Sequence, residues 1–175
     1  MIRARGVVLA VPAALLALVL AAANRPDQPP LPAGTVADAV VVHKRARMLV
    51  LMQDGRPVKL YPVALGGAPT GPKRREGDER TPEGAYVIDA RNPRSAFHRA
   101  LRVSYPDAAD RARAAAASED PGGMIMVHGM RNGLGWIGRL HRRVDWTDGC
   151  IAVTNREMDE LWRAVPTGTP IVIRP

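Results

Sequence analysis

The sequence contains very little cysteine and few aromatic side chains. Its 175 residues include one Cys, one Phe, three Tyr and three Trp. A lone cysteine cannot form an intrachain disulfide, and without Cys-x-x-Cys or His-x-x-x-His pairs the chain matches no recurring zinc motif. Few aromatic rings offer few platforms for stacking bases, which argues against a nucleic-acid partner. The sequence also lacks an internal repeat and a heptad pattern, which excludes repeat architectures and coiled coils.

The N-terminus has the composition of an export signal. Arg3 and Arg5 precede an apolar run over residues 6–23 that ends in three alanines, a pattern typical of a secretory signal peptide. A membrane span needs about 17 to 25 apolar residues, so an uncleaved anchor over residues 1–23 is the alternative. No cysteine follows the run, which excludes lipid attachment to an N-terminal cysteine. We therefore predict a domain in the periplasm or cell envelope, with membrane contact only through this segment.

Acidic residues are outnumbered by basic ones, 17 Asp and Glu against 25 Lys and Arg, and the formal charge is +8 at pH 7. A basic balance attracts anionic partners over long range. For an exported protein, the carboxylates of wall peptides are better candidates than nucleic acid. A generally basic, solubilising surface explains the same charge equally well.

Residues 24–35 are rich in proline and predict an extended linker, so we expect one folded domain over residues 36–175. Asp54-Gly55 is a hairpin signal, and a helix is predicted over 107–117 with Asp107 as N-cap and another over 155–165 with Asn155 as N-cap. This pattern indicates a mainly β (α+β) domain with short packed helices. Strands are predicted over 39–43, 48–53, 58–65, 85–90, 101–105, 123–127 and 170–173.

The segment 66–84 has five glycines besides its prolines, and it has no apolar periodicity. We predict a long mobile loop, since loops of this length in a compact domain are functional or disordered. Its cations would be available to an anionic substrate, although a merely solvated surface is an equally good explanation. These cations are Lys73, Arg74, Arg75 and Arg80.

Cys150 is the candidate nucleophile and His128 its candidate base. A free thiol has a pKa of about 8.5, so a catalytic cysteine needs a base beside it. His128 follows a strand-like run and precedes Gly129, which permits close backbone approach. His141 is less suitable, because the arginines around it disfavour its imidazolium. An inert, buried cysteine is the alternative.

Gly149, directly before Cys150, suits a tight turn that points backbone amides at a developing oxyanion, although a plain turn glycine is the simpler interpretation. A third group should orient the imidazole of the base. The backbone carbonyl near Gly129 and the carboxylates of Asp145 and Asp148 are the candidates.

A set of motifs runs in a fixed order through nearly all of the chain beyond the linker. It comprises Thr81-Pro82-Glu83-Gly84-Ala85-Tyr86, His128-Gly129, Thr147-Asp148-Gly149-Cys150-Ile151 with Asn155, a following helix, and Gly168-Thr169-Pro170-Ile171-Val172-Ile173. This ordered set resembles the catalytic domain of the L,D-transpeptidases. The resemblance implies a β-barrel-like or sandwich-like domain in a bacterial wall enzyme.

In that family a cysteine attacks the diaminopimelate carbonyl of a peptidoglycan stem, releases D-alanine, and holds the stem as a thioester that an amine or water resolves. The resemblance implies that Cys150 is the nucleophile, His128 the base and later acid, and the Gly129 carbonyl its orienter. It also implies an oxyanion hole at Gly149 and Cys150, and no cofactor or metal. The expected partners are peptidoglycan peptide stems, and the expected substrate-binding residues are Lys73, Arg75, Arg80, Tyr86, Thr147 and Asp148.

Two positions depart from the common family pattern. Asp148 stands where His is usual, and Ala152 stands where Arg or Asn is usual, so a carboxylate-binding fork is missing. The sequence around Cys150 and the segment 71–84 are more similar to a hydrolytic branch, which detaches a wall-tethered lipoprotein from peptidoglycan. Hydrolysis of an amide bond at diaminopimelate, with a wall-linked lipoprotein as partner, is therefore the alternative activity.

Three other classes fit less well. A metal site would use His128, His141, Asp148 and Cys150, whose spacing matches no common zinc motif. A wall-binding module without catalysis would leave Cys150 incidental. A sortase-type enzyme would have a different context around its cysteine.

Overall fold

The computed structural model of the protein describes residues 13–175. Residues 1–12 of the predicted signal or anchor lie outside the described residues, and the rest of that segment forms helix α1 (Ala13–Ala23). Within the described part of the chain, no helix is long and apolar enough to cross a membrane.

The body of the domain is an eight-stranded mixed sheet. Its strands are β1 (Ala39–His43), β2 (Met48–Gln53), β3 (Arg56–Pro62), β4 (Gly84–Ser95), β5 (His98–Val103), β6 (Met126–His128), β7 (Ile151–Ala152) and β8 (Pro170–Arg174). The order across the sheet is β3-β2-β1-β8-β4-β5-β6-β7, and the pairs β1/β8 and β6/β7 are parallel.

The two ends of this sheet meet. Ala64, just after β3, pairs with Ala152 of β7, and the two residues exchange N–H···O bonds of 3.0 and 2.8 Å. Pairing the ends protects two sheet edges, which would otherwise expose unpaired backbone groups. The predicted mainly β, barrel-like fold with short packed helices is confirmed.

Strands β1 and β2 show alternating burial of their side chains. Val40 and Val42 of β1 and Leu49 and Leu51 of β2 are buried, whereas their neighbours are only half-buried. These alternate side chains share one face of the sheet and supply its core. Asp54-Gly55 forms the predicted hairpin turn, with both residues at positive φ.

Some predicted strand limits are wrong because local backbone conformation overrides the apolar pattern. β6 starts three residues later than predicted, after Gly122 and Met124 adopt positive φ. β4 continues to Ser95, so β4 and β5 form a longer hairpin than predicted. The two-residue strand β7 and a 3₁₀ segment (Gly135–Arg143) were not predicted.

Two further helices are α2 (Ala108–Ala116) and α3 (Asn155–Ala164). Helix α3 packs against β5 and β6, and α2 is joined to β4 by the Tyr86–Asp110 hydrogen bond. Asp107 caps α2 as predicted, by accepting from the Asp110 amide. The prediction that Asn155 caps α3 is wrong. Thr154 is the cap, because it forms a reciprocal capping box with Glu157, and Asn155 is left free for another contact.

Residues 24–31, which we call the strap, are irregular but packed. Leu31 is 8% exposed and belongs to the core, and the Pro29 carbonyl accepts a 2.7 Å hydrogen bond from Lys59 Nζ. Asp27 pairs with Arg139 and Arg142. Residues 24–30 are exposed, as expected of a linker, but Leu31, its one large apolar side chain, belongs to the core and holds the strap against the domain.

Candidate active site

A cavity of about 720 Å³ lies between the tip of the β4–β5 hairpin, β6, the 3₁₀ segment and the residues before β7. His128 and Cys150 both line it, so the fold brings the two candidate catalytic residues to one site. Most of the other lining side chains are apolar. They are Phe97, Met124, Met126, Met130, Leu134, Ile137, Val144 and Trp146.

His128 ends strand β6 and is 4% exposed. Its Nδ1 lies 2.6 Å from the Gly129 carbonyl oxygen, so Nδ1–H donates there and Nε2 keeps its lone pair. Burial lowers the pKa of His128, against the smaller opposing effect of the Gly129 bond. Of the candidate orienting groups, the Gly129 carbonyl makes the contact, whereas Asp145 is bound to Arg47.

Cys150 directly precedes β7, and His128 pairs with Ala152 across the parallel β6/β7 ladder. The Cys150 Sγ–H donates to the Met124 carbonyl oxygen at 3.6 Å. Burial raises the pKa of the Cys150 thiol, and the Asp148 carboxylate raises it further, while the Met126 amide acts in the opposite sense. Both shifts favour the neutral forms at pH 7, a thiol at Cys150 and an imidazole at His128.

The turn before the nucleophile is held by Thr147 and Gly149. Thr147 Oγ1 donates to the Cys150 carbonyl at 2.7 Å and accepts from the Gly149 amide at 3.2 Å. Because the Gly149 amide is engaged in this way, the Cys150 amide is the better oxyanion donor of the two expected. Gly149 has a φ of +118°, and a Cβ there would lie 2.5 Å from the Arg80 carbonyl oxygen.

The loop 66–84 lies behind this turn, where Gly66 and the Arg80 carbonyl approach Gly149, while residues 74–77 are exposed. Asp78 organises it by accepting from the amides of Arg74, Arg75 and Arg80 and from Lys73 Nζ at 2.8 Å. Burial alone would raise the pKa of Asp78, but these hydrogen bonds hold it at about 2.

Most of the predicted substrate-binding residues lie elsewhere. Lys73 is 3% exposed and ion-paired, so it supports the loop and is not a free cation. Tyr86 is buried in the core and donates to Asp110 at 3.0 Å. Arg75 pairs with Glu119, and neither Arg75 nor Arg80 lines the cavity. These four residues therefore lie outside the cavity that holds Cys150 and His128, with Lys73, Arg75 and Arg80 on the loop 66–84 and Tyr86 on β4.

Thr147 and Asp148 do line the cavity. Thr147 is buried and its hydroxyl donates to the Cys150 carbonyl within the nucleophile turn, whereas Asp148 is exposed at the cavity. Of the predicted substrate-binding set, Asp148 is therefore the residue with a free polar group facing the cavity.

Sequence reasoning missed three side chains that shape this cavity, Phe97, Arg131 and Trp146. Trp146 directly precedes the motif around Cys150, and Arg131 lies three residues after His128. Both could therefore have been considered from their position next to these motifs. Phe97 lies at the tip of the β4–β5 hairpin and no local pattern marks it. Asn155, whose predicted capping role is wrong, instead accepts from the Met130 amide at 2.8 Å.

Within residues 13–175 there is no group of three or more His, Cys, Asp or Glu side chains that could hold a metal ion.

Comparison with known proteins gives concordant matches. The sequence profile of the YkuD family, the L,D-transpeptidase catalytic domain, matches residues 37–173. A putative L,D-transpeptidase of Escherichia coli K12, YafK, is 29% identical over 117 residues, which are 66% of this chain and 39% of that protein. The chain thus spans well under half the length of this curated relative.

Solved structures share the fold. The helical cell shape determining protein Pgp2 of Campylobacter jejuni has a TM-score of 0.60 at 20% identity, covering 90% of this chain and 54% of its own. An L,D-transpeptidase of Mycobacterium smegmatis has a TM-score of 0.51 at 18% identity, covering 79% and 59% respectively.

Proposed function

Since the chain belongs to the L,D-transpeptidase catalytic-domain family, we propose that it is an exported cysteine acyl-transferase that acts on peptidoglycan peptide stems through a Cys150 thioester. Members of this family act on peptidoglycan in the periplasm or cell envelope. Export through residues 1–23 is part of the proposal. Cell fractionation tests it, and we expect the domain in the periplasmic or cell-envelope fraction.

The observation that supports this proposal best is the shared cavity of Cys150 and His128, with His128 oriented by the Gly129 carbonyl. As Cys150 Sγ attacks the stem carbonyl carbon, its proton passes to His128 Nε2, and the C–S bond forms. The tetrahedral oxyanion accepts a hydrogen bond from the Cys150 amide. The C–N bond then breaks, and the leaving amine takes the proton from His128.

The second half of the reaction uses the same groups. An acceptor amine or a water attacks the thioester carbonyl, gives its proton to His128, and releases Cys150, which recovers the proton on sulfur. Whether the product is a new cross-link or a shortened stem depends on which nucleophile enters the cavity.

For substrate binding we propose Arg131. In the described part of the chain, Arg131 is the one arginine or lysine that lines the cavity, and its side chain is exposed there. A guanidinium can bind a stem carboxylate with two parallel hydrogen bonds. It would serve in place of the arginine that the family commonly has at position 152.

Hydrolysis is the second candidate activity. Ala152 is fully buried in β7 and offers no group to bind an acceptor, and the cavity is largely apolar. Since position 152 cannot hold an acceptor amine, water becomes a competitive nucleophile. The amide cleaved would then be one at diaminopimelate, such as a link to a wall lipoprotein.

The test is mass spectrometry of peptidoglycan fragments after incubation with the full chain, using Cys150→Ala as the matched control. The fragments are purified tetrapeptide stems and lipoprotein-linked stems. New cross-linked dimers with D-alanine release support transpeptidation, while tripeptides or freed lipoprotein support hydrolysis. No Cys150-dependent product from either fragment would overturn the proposal.

A matched pair of arginine variants tests substrate binding. We expect Arg131→Gln to raise KM about tenfold, because a charge-assisted bond of about 1.5 kcal/mol is lost. Arg143→Gln is the control, since Arg143 is exposed on the neighbouring 3₁₀ segment and does not line the cavity. Equal KM values for both variants would remove Arg131 from the binding site.

A further inference from the structure

The imidazole of His128 is enclosed by aromatic rings. The Phe97 ring centroid lies 4.6 Å from that of His128 with a tilt of 46°, and the Trp146 centroid lies 5.9 Å away at 67°. Phe97 and Trp146 also stack on each other at 6.2 Å and 29°. The two rings come from distant parts of the chain, and Phe97 is its only phenylalanine.

This enclosure poses an electrostatic problem. His128 is almost fully buried, and burial disfavours a charged imidazolium. The proposed reaction nevertheless requires His128 to carry the thiol proton while the thioester forms. Aromatic faces attract cations through their quadrupole, by about 0.5 to 2 kcal/mol within about 6 Å.

Trp146 is held by a second histidine. His141 Nδ1 accepts a hydrogen bond from Trp146 Nε1–H at 3.4 Å, and the two rings are nearly perpendicular. His141 is 5% exposed and lines the same cavity, and its Nε2 is buried without a hydrogen-bond partner among the described residues. Burial, with a smaller contribution from the Arg142 charge, lowers the pKa of His141 to about 4, so Nδ1 stays free to accept.

We propose that Phe97 and Trp146 form an aromatic cradle that stabilises the imidazolium form of His128 while it holds the thiol proton, and that His141 is a positioning residue that holds Trp146 in this cradle. The inference rests on the proposed function for the role of His128 as base. The Gly129 carbonyl fixes the ring and, by accepting from Nδ1–H, also favours its charged form, and the cradle adds to this stabilisation.

The direct test is NMR titration of His128 in the full chain, which needs no turnover. Phe97→Leu keeps the site apolar but removes the aromatic face, so we expect the pKa of His128 to fall by about half a unit or more. Phe97→Tyr keeps the face and is the control, with the wild-type value expected. The other titratable groups around His128 are Cys150, Asp148, His141 and His98, and their signals are followed in the same experiment.

The direction of the shift separates the cradle from a purely structural role. If Phe97 only shielded His128, its removal would admit water and raise the pKa towards 6.5. An unchanged or raised pKa in Phe97→Leu therefore overturns the cradle, whether or not the enzyme turns over peptidoglycan. If the unaltered protein does not turn over peptidoglycan but Phe97→Leu shows the expected pKa shift, the proposed function alone is rejected.

The positioning role of His141 has its own pair of variants. His141→Gln offers an amide oxygen to Trp146 Nε1–H, whereas His141→Leu does not. We expect His141→Leu to lower kcat about three- to tenfold with KM little changed. The pKa of the acid limb of kcat/KM should also fall in His141→Leu. His141→Gln should restore most of the wild-type kcat and of this pKa. Equal behaviour of the two variants, at equal stability in urea, would overturn the positioning role.

Discussion

At the scale of single residues, the nucleophile turn depends on Gly149 for two independent reasons. Its φ of +118° is a conformation that L side chains rarely adopt, and its Cα faces the Arg80 carbonyl of the packed loop. The loop 66–84, which its composition predicted to be mobile, thus contacts the nucleophile turn through the Arg80 carbonyl.

We predict that Gly149→Ala abolishes activity and destabilises the domain by about 2 kcal/mol or more, because a Cβ would collide with the Arg80 carbonyl as well as strain the backbone. Gly168→Ala is the matched control, since Gly168 also has positive φ but an added Cβ there meets nothing within 4 Å. Urea unfolding and turnover assays measure both effects. Equal losses for the two variants would show that backbone strain alone matters.

The neutral resting pair predicts a particular pH dependence. Burial raises the pKa of Cys150 and lowers that of His128, so the free thiol should react slowly with iodoacetamide at pH 7 and fast only above about pH 9. The acid limb of kcat/KM should lie below pH 6.5, because His128 must be neutral to act as base. Alkylation with an apparent pKa below 8 would instead indicate a thiolate–imidazolium pair.

Local sequence was sufficient to select the candidate residues that stand next to each other in the chain. His128 at a strand end, Gly129 beside it and Gly149 before Cys150 were all predicted, and the structure places them in one site. Tyr86 and Lys73 were misassigned because their polar tips looked available. The structure pairs those tips with Asp110 and Asp78 in buried positions.

At the scale of elements, the strap ties the N-terminal segment to the side of the domain that holds the cavity. Asp27 pairs with Arg139 and Arg142 of the 3₁₀ segment, and Arg142 also pairs with Glu157 at the start of α3. Lys59 and Glu160 form a buried ion pair at 2.5 Å below the strap. Removing one partner of such a pair leaves an uncompensated buried charge.

We expect residues 24–175 to be more stable in urea than residues 36–175, by about 2 kcal/mol or more, since the shorter chain loses Leu31 and exposes the Lys59–Glu160 pair. Leu31→Ala in the longer chain should reproduce a large part of the loss. Pro32→Ala is the control, because Pro32 is exposed in the same segment. Equal stability of the two chains would show that the strap does not contribute.

At the scale of the whole molecule, the domain buries two histidines in one cavity, and both pKa values are lowered. A histidine that resists protonation only in the folded state makes stability depend on pH. The unfolded chain binds the proton more readily, so folding is favoured fully above about pH 6.5 and less as the pH falls towards the lowered pKa.

We predict that the free energy of unfolding falls by about 2 kcal/mol between pH 7 and pH 4.5 from His141 alone, because its pKa is about 4 in the folded state against 6.5 unfolded and each unit of difference is worth about 1.4 kcal/mol. His128 adds a loss of the same sign. Urea unfolding at the two pH values measures the total, and His141→Gln should reduce the difference by the contribution of His141. An unaltered pH dependence in that variant would contradict the assignment.

The sequence by itself determined the fold class, most strand positions and the identities of the nucleophile and base candidates. Alternating apolar residues and special turn residues act on their immediate neighbours, so they can be read locally. Only the tertiary structure decided that the loop 66–84 is packed, that Leu31 belongs to the core, and that Phe97 and Trp146 meet at His128. Those contacts join residues far apart in the chain, and their free energy exists only once the sheet has brought them together.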